Sequence, residues 1–244
     1  MIIAFLSCVV GVGAAISTAV GFGSTLVILA LGSLVMPVNA VLFRIMPVTV
    51  LLSASILLRS PRAVDLRVLF GRILPAMALG LPAGLFLLDA LAPAQLERGF
   101  AAFVFLLASV ELVAMARTNA SRVRPLSRAA SLALLFLGGV AHGALATGGP
   151  PVVYVCARTL PDKTTFRATL SALWLVLSVV LLAAYTLRGH VTAITLRDSL
   201  RLLPGLAVGV VVGDVLHRRV SQRVFRVLVF IGLVIVSVVM AVRA

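Results

Sequence analysis

Val140-Ala141-His142-Gly143-Ala144-Leu145-Ala146-Thr147-Gly148-Gly149-Pro150-Pro151-Val152-Val153-Tyr154 lies inside a run of apolar residues long enough to cross a bilayer. A helix cannot pass through this stretch unbroken. Gly148 and Gly149 make helical backbone entropically costly, and Pro150 and Pro151 remove two amide donors and clash with carbonyls one turn back. Proline at a first helical position is favourable, so the residues that stop one helix can start another at Val152. The expectation is two half-helices meeting at a glycine joint. In lipid, unpaired backbone groups persist only where they are buried in protein or line a wet cavity, so a break at this depth marks a substrate or ion site. The N-terminus of the second half-helix would turn positive dipole and free amides toward an anion. A kink that only shapes packing is the alternative reading of the same residues.

The surrounding composition sets the solvent. Of 244 residues 62% are hydrophobic and 11% charged, with a mean hydropathy of +1.22, which excludes a soluble domain. The net charge of +14 comes from 20 arginines and one lysine placed between apolar runs. They read as topology anchors facing anionic lipid and not as a nucleic-acid surface. Cys8 and Cys156 both sit in apolar stretches without metal-ligand spacing, so neither a disulfide framework nor a metal centre is expected. The N-terminal apolar stretch lacks a basic leader and reads as a retained segment.

Charge and proline divide the chain into eight apolar runs: Ile2–Met36, Ala40–Leu58, Ile73–Leu88, Gly99–Ala116, Ala129–Ala157, Ala168–Leu187, Leu202–Leu216 and Val224–Val242. These give an all-α integral membrane protein of about eight transmembrane helices. The first and fifth runs exceed what a ~30 Å core needs at ~1.5 Å per residue. Each contains a glycine-rich joint, Gly21-Phe22-Gly23-Ser24 in one and Gly148-Gly149-Pro150-Pro151 in the other.

That coincidence extends along the chain in order. Met36-Pro37 corresponds to Leu160-Pro161, Phe43-Arg44 to Phe166-Arg167, Val64-Asp65-Leu66-Arg67 to Ile194-Thr195-Leu196-Arg197, and Leu74-Pro75 to Leu203-Pro204. Gly80 and Gly84 answer Gly209 and Gly213, with the spacing of close helix–helix seams. The reading is a single transmembrane domain over 1–244 made of two homologous four-helix repeats, 1–117 and 129–244, joined by a linker at 118–128. With eight crossings, one face carries twelve basic residues and the other eight. The positive-inside rule then places both termini in the cytoplasm, although the basic cluster at Arg218–Arg226 opposes it. Re-entrant folding of either long run would change this count.

Polar residues at depth are the candidates for chemistry. Arg44 and Arg167 hold equivalent positions in the two halves, and a guanidinium fork suits an oxyanion; snorkelling or capping of a neighbouring helix is the other reading. His142, Glu111 and Asp214 are possible proton-coupling groups. The alternative is structural: pairing of Glu111 with Arg117 and of Asp214 with His217 or Arg218, and a hydrogen-bonded histidine at His142. Around the joints Gly21, Gly23, Ser24, Thr25, Thr147, Gly148, Gly149 and Pro150 are candidate substrate-binding positions. Tyr154 stands beside them, and Thr169 and Ser171 follow Arg167. No hydrolase elbow, zinc spacing or phosphate loop is present, and no cofactor is expected.

These residues carry a resemblance. The chain is similar to the sulfite exporter TauE/SafE family of membrane permeases through Gly21-Phe22-Gly23-Ser24, Val64-Asp65, Gly148-Gly149-Pro150-Pro151, Pro161 and Phe166-Arg167-Ala168-Thr169. The resemblance implies two four-helix repeats and movement of small anions such as sulfite, sulfonates, thiosulfate and related organic anions. Where many relatives carry Gly-Thr-Ser after the first-half proline, this chain has Leu42-Phe43-Arg44. The expected function is a small-anion permease, working in export, in the bacterial inner membrane. Its partners are the anion and lipid, and it acts as a monomer or homo-oligomer. An intramembrane enzyme and an accessory subunit of a membrane complex are the other classes, and the motifs speak against the enzyme.

Overall fold

The computed structural model describes residues 2–117, 126–160 and 162–219, with Ile231, 233–235, Val238 and Val242 beyond them. Among the described residues all regular structure is helical. The first apolar run forms α1 (Ile2–Val20) and α2 (Ser24–Gly32), and the second forms α3 (Val38–Leu57). A 3-10 turn at Pro61–Ala63 leads into α4 (Leu66–Val68), a π turn at Leu69–Ile73 and α5 (Leu74–Ala90). Pro75 in the first turn of α5 has no amide to donate, and the widened π turn directly before it absorbs the mismatch. Then come α6 (Pro93–Arg117), α7 (Arg128–Leu145), α8 (Gly149–Cys156), α9 (Lys163–Leu187), α10 (Ala193–Arg201) and α11 (Leu203–Arg219). Pro204 stands at the corresponding place in the later part of the chain, where α10 and α11 meet at a 41° bend.

Five helical stretches among the described residues are long and apolar enough to cross a bilayer: Ile2–Val20, Val38–Leu57, Leu66–Ala90, Arg128–Leu145 and Thr164–Leu187. The bent pair Ala193–Arg201 and Leu203–His217 makes a sixth if it crosses as one. The run Gly99–Ala116 lies in α6. The run Val224–Val242 and the linker at 118–128 fall mostly outside the described residues. Leu79, Phe86, Leu106, Val208 and Val211 are exposed on the outside of the bundle, the surface that acyl chains cover.

The two long runs are broken at the expected places, but they are not end-to-end half-helices. A Cβ on Gly13 would press on Ile28 and on the Ser24 carbonyl, and one on Gly32 would press on Leu6 and Val41, so α2 runs back along α1 and α3 turns again beside it. Gly138 likewise faces Val152 and the Gly148 carbonyl, which folds α8 back on α7. Each long run is therefore a hairpin of one full helix and one short returning helix. The second joint also begins earlier than the prolines suggest. It is Ala146-Thr147-Gly148, and Pro150 and Pro151 lie inside the first turn of α8, where a missing amide costs no helical bond.

Two parallel, glycine-lined seams tie the hairpins to the rest. On α5 and α7, Gly80 meets the Phe136 carbonyl, Gly84 the Val140 carbonyl, Gly139 the Met77 carbonyl and Gly143 the Leu81 carbonyl. On α11 and α1, Gly205 meets Ser7, Gly209 meets Gly11, and Gly213 meets Ala15 and Thr18. At these sites a Cβ would overlap backbone atoms, so only glycine permits the approach. Between the seams α3 and α9 cross in opposite directions. Asp65, after the end of α3, donates its amide to Thr169 Oγ1 near the start of α9 at 2.9 Å, while Phe43 near the start of α3 packs edge-on against Tyr185 near the end of α9.

Local signals set the helix starts. Asp162 caps α9 by accepting from the amides of Thr164 and Thr165 and from the Thr165 hydroxyl. The Thr165 hydroxyl, then the backbone amides, hold the exposed Asp162 carboxyl below the usual carboxylate range. Ser127 caps α7, and Thr192 with Thr195 forms a reciprocal capping box on α10.

A Gly84→Val substitution forces the α5–α7 seam apart, costing about 3 kcal/mol and lowering the melting temperature of the detergent-purified protein by roughly 6–12 °C. Gly99→Ala, inside α6 at a site with nothing within 4 Å, should not lower it and should raise it by about 1–4 °C, since alanine is the better helix former. Equal melting temperatures for the two variants would contradict the seam.

Candidate functional site

The two hairpin joints face each other. A Cβ placed on Gly149 would be 3.6 Å from Phe22 Cδ2, so the loops at 21–23 and 146–148 are in contact across the molecule. Between them, α3 and α9 close a cavity of about 40 Å³, counted as room for the centres of water-sized spheres, which suits about three waters or one small ion. The first hairpin contributes Ser17, Phe22, Gly23, Ser24, Thr25 and Leu26, the second His142, Ala146, Thr147 and Gly149. Thr49 and Ser53 come from α3, Trp174 and Ser178 from α9.

Backbone conformation at the joints is what exposes donors here. Gly21 and Gly23 take φ of 92° and 96°, a region open to glycine, and Gly23 ends as the N-cap of α2 without any side-chain cap. The first amides of α2 therefore have no intrahelical acceptor, and Ser24, Thr25 and Leu26, which carry them, are lining residues. Ala146 takes φ 53°, a left-handed conformation that costs an alanine roughly 1–2 kcal/mol. That strain sits directly on the cavity wall. Gly148 caps α8 without a side-chain bond, and Gly149 is the amide-bearing residue ahead of the two prolines.

The side chains leave further hydrogen-bonding capacity open. His142 is 2% exposed and stacks on Trp174 with ring centroids 5.4 Å apart, yet neither ring nitrogen has a partner among the described residues. Thr147 Oγ1, and Thr18 Oγ1 outside the lining, are likewise buried with no partner among the described residues. Buried polar atoms left open in this way mark a place for water or a ligand. Trp174 Nε1 donates to the Gly21 carbonyl at 3.3 Å and holds the first joint against α9.

Of the residues singled out from the sequence, Gly23, Ser24, Thr25, Thr147 and Gly149 line the cavity together with His142. Gly21 forms the outer turn of the first joint. Gly148 lies behind the second, where its missing Cβ lets the chain pass the Gly138 carbonyl. Pro150 follows in the first turn of α8. The others are elsewhere. Arg44 pairs with Asp198 at 3.0 Å, and its second donor caps the Ala40 carbonyl at 3.0 Å, so its fork is committed to protein and not to the cavity. Thr169 is fully buried and accepts from the Asp65 amide. Asp214 pairs with Arg59 across helices at 2.6 Å, and His217 Nδ1 lies 2.8 Å from the Ala19 carbonyl, while the Arg218 side chain lies outside the described part. Glu111 falls in α6, with its side chain outside the described part. Tyr154 is exposed under the Arg158 guanidinium, 3.5 Å from its ring centroid, and Ser171 donates to the Arg167 carbonyl.

Arg167 differs from its counterpart Arg44. Its stem packs on Gly21, its Nη1 donates to the Thr18 carbonyl at 3.3 Å, and no described carboxylate comes within salt-bridge distance. It thus braces the first joint from behind without being part of the lining. Eight lining residues were not picked out from the sequence: Ser17, Phe22, Leu26, Thr49, Ser53, Ala146, Trp174 and Ser178. A signal was there, since Thr49/Ser53 and Trp174/Ser178 are i, i+4 pairs that put polar atoms on one face of each apolar helix.

This is a multi-pass membrane protein with a pocket of mixed polar and apolar lining between two helix hairpins. The family model described as sulfite exporter TauE/SafE matches residues 5–240, and the chain belongs to this family of membrane permeases, which are transporters and not enzymes. A search of curated proteins and one of solved structures each return no match.

Proposed function

We propose that the protein carries a small oxyanion of the sulfite or sulfonate kind through the cavity between the hairpin joints. The observation behind this reading is the joining of both broken segments at one buried pocket, where capless helix ends, Thr147 and His142 have donors to offer. Such groups can stand in for the hydration shell the ion loses. Export is the favoured direction. One negative charge leaving a cell held at about −100 mV gains ~2.3 kcal/mol, so no coupling ion is required outward.

The helix pairing supports two inverted repeats. The α5–α7 seam and the α11–α1 seam have the same carbonyl-on-glycine pattern, Gly80 on Phe136 matching Gly209 on Gly11, and Gly84 on Val140 matching Gly213 on Ala15. Gly13 and Gly138 occupy the same place inside their hairpins. In this reading α1, α2, α3 and α5 correspond to α7, α8, α9 and α11, and the antiparallel α3–α9 pair lies at the axis.

Folding back changes the sidedness. A hairpin returns the chain to the side it entered from, so α1 and α3 start on one side, and α5, α7 and α9 on the other. The side holding the ends of α3, α6 and α11 then carries Arg59, Arg62, Arg67, Arg72, Arg117, Arg128, Arg158, Lys163, Arg167, Arg218 and Arg219. Arg44, Arg98, Arg188, Arg197 and Arg201 are on the opposite side. Among the described residues, eleven against five supports a start of α1 on the outer face of the bacterial inner membrane. In intact cells carrying Cys8→Ser, a membrane-impermeant maleimide should label Ala193→Cys and leave Ser60→Cys unlabelled until lysis; the reverse pattern would restore the cytoplasmic start.

Flux is the direct test of function. Proteoliposomes under an imposed potential should take up sulfite or methanesulfonate well above empty vesicles. Gly149→Leu, which fills the pocket, should cut the rate at least about tenfold in a protein that still purifies folded. The double variant Arg44→Met/Asp198→Leu removes the ion pair as a unit and should keep the wild-type rate. No flux of any small anion from the folded wild type rejects the permease reading, and an undiminished rate in Gly149→Leu rejects the site.

A further inference from the structure

We infer that the cavity is built for one net negative charge, so that it takes the monoanion of an oxyacid and excludes the dianion of the same acid. This rests on the permease reading above and adds the charge state of the cargo. Its basis is the composition of the wall. Among the described residues no Arg, Lys, Asp or Glu lines the cavity, and the polar atoms come from hydroxyls, the Trp174 and His142 rings and the turns of the two joints.

What balances an anion in such a place is the pair of helix N-termini. Each contributes the equivalent of about half a positive charge, so α2 and α8 together offset about one. A second negative charge has no counterpart and is taken from water into a wall of neutral dipoles, which is strongly unfavourable. The donor count points the same way. The first turn of α2 offers its uncapped amides, but Pro150 and Pro151 leave α8 with the Gly149 amide alone ahead of Val152.

His142 fits a cargo that carries its own proton. A neutral imidazole presents one N–H donor and one bare acceptor, and in His142 neither is used by the described protein. A hydrogen-bearing monoanion can accept from the first and donate to the second, whereas an ion without a proton, methanesulfonate included, uses the first alone. Among the described residues His142 is the lone titratable side chain of the lining. The groups on the elements packed around it are held elsewhere: the Tyr185 hydroxyl on the Gly143 carbonyl, Arg167 on the Thr18 carbonyl, and Asp214 on Arg59.

The test compares an acid that titrates with one that does not. In proteoliposomes, sulfite flux at fixed total concentration is measured across the pH range of its second ionisation, with methanesulfonate, a permanent monoanion, as reference, and the current is recorded to give charge moved per ion. Sulfite flux should fall about tenfold per pH unit above that ionisation, methanesulfonate flux should stay level, and each ion should move one charge. In His142→Gln the sulfite profile should keep its shape, since the cargo and not the ring titrates. Sulfite flux that persists at alkaline pH, or two charges per sulfite, overturns the inference while leaving the permease intact. A methanesulfonate profile that falls with the sulfite one overturns it as well. If neither ion crosses, the permease reading fails, and binding to the purified protein then decides the charge claim: methanesulfonate should bind at least about tenfold more tightly than sulfate, and equal or reversed affinities refute it.

Discussion

Two places where the chain reverses inside an apolar bundle govern everything else in this structure. A reversal in lipid leaves backbone donors without partners, which is tolerable only if protein or a wet cavity surrounds them. Here each reversal is surrounded by the other, because Phe22 of the first joint packs on Gly149 of the second. The glycine seams serve this arrangement. By letting α5 approach α7 and α11 approach α1 to backbone contact, they fix the long helix of each hairpin, and α3 and α9 then close the sides with Thr49, Ser53, Trp174 and Ser178.

Where the charges fall follows from the same packing. Ion pairs hold the periphery and not the cavity: Arg44 with Asp198, Arg59 with Asp214, and Arg188 with Asp89. Arg59 and Arg188 stand just past the C-terminal ends of α3 and α9, and since those helices are antiparallel the two pairs lie at opposite ends of the bundle. The pocket itself is left with dipoles, hydroxyls and a histidine. A site of this kind can bind a small anion without holding it as tightly as a guanidinium pair would, and a carrier has to release its cargo on the far side.

Much of this was legible in residues. The Gly-Gly-Pro-Pro and Gly-Phe-Gly-Ser joints announced the breaks, the matched Gly80/Gly84 and Gly209/Gly213 announced the seams, and five joint residues with His142 are at the cavity wall. Three things were not legible. The direction of the chain after each joint depends on contacts such as Gly13 with Ile28 that no local pattern encodes, so the hairpins could not be read from the sequence. The commitment of Arg44 depends on Asp198, 154 positions away in sequence, and two arginines alike in local context received different surroundings. The start of α8 came earlier than the prolines implied because they are accommodated within its first turn.

The most direct measurement is a structure determined with perrhenate, a monoanionic oxyanion whose heavy atom locates it without ambiguity. The account places the anion between the first amides of α2 and the Thr147–Gly149 turn, within hydrogen-bonding distance of the His142 ring. An anion found instead at Arg44, Arg59 or Arg167, with the space between the joints filled only by water, would contradict it.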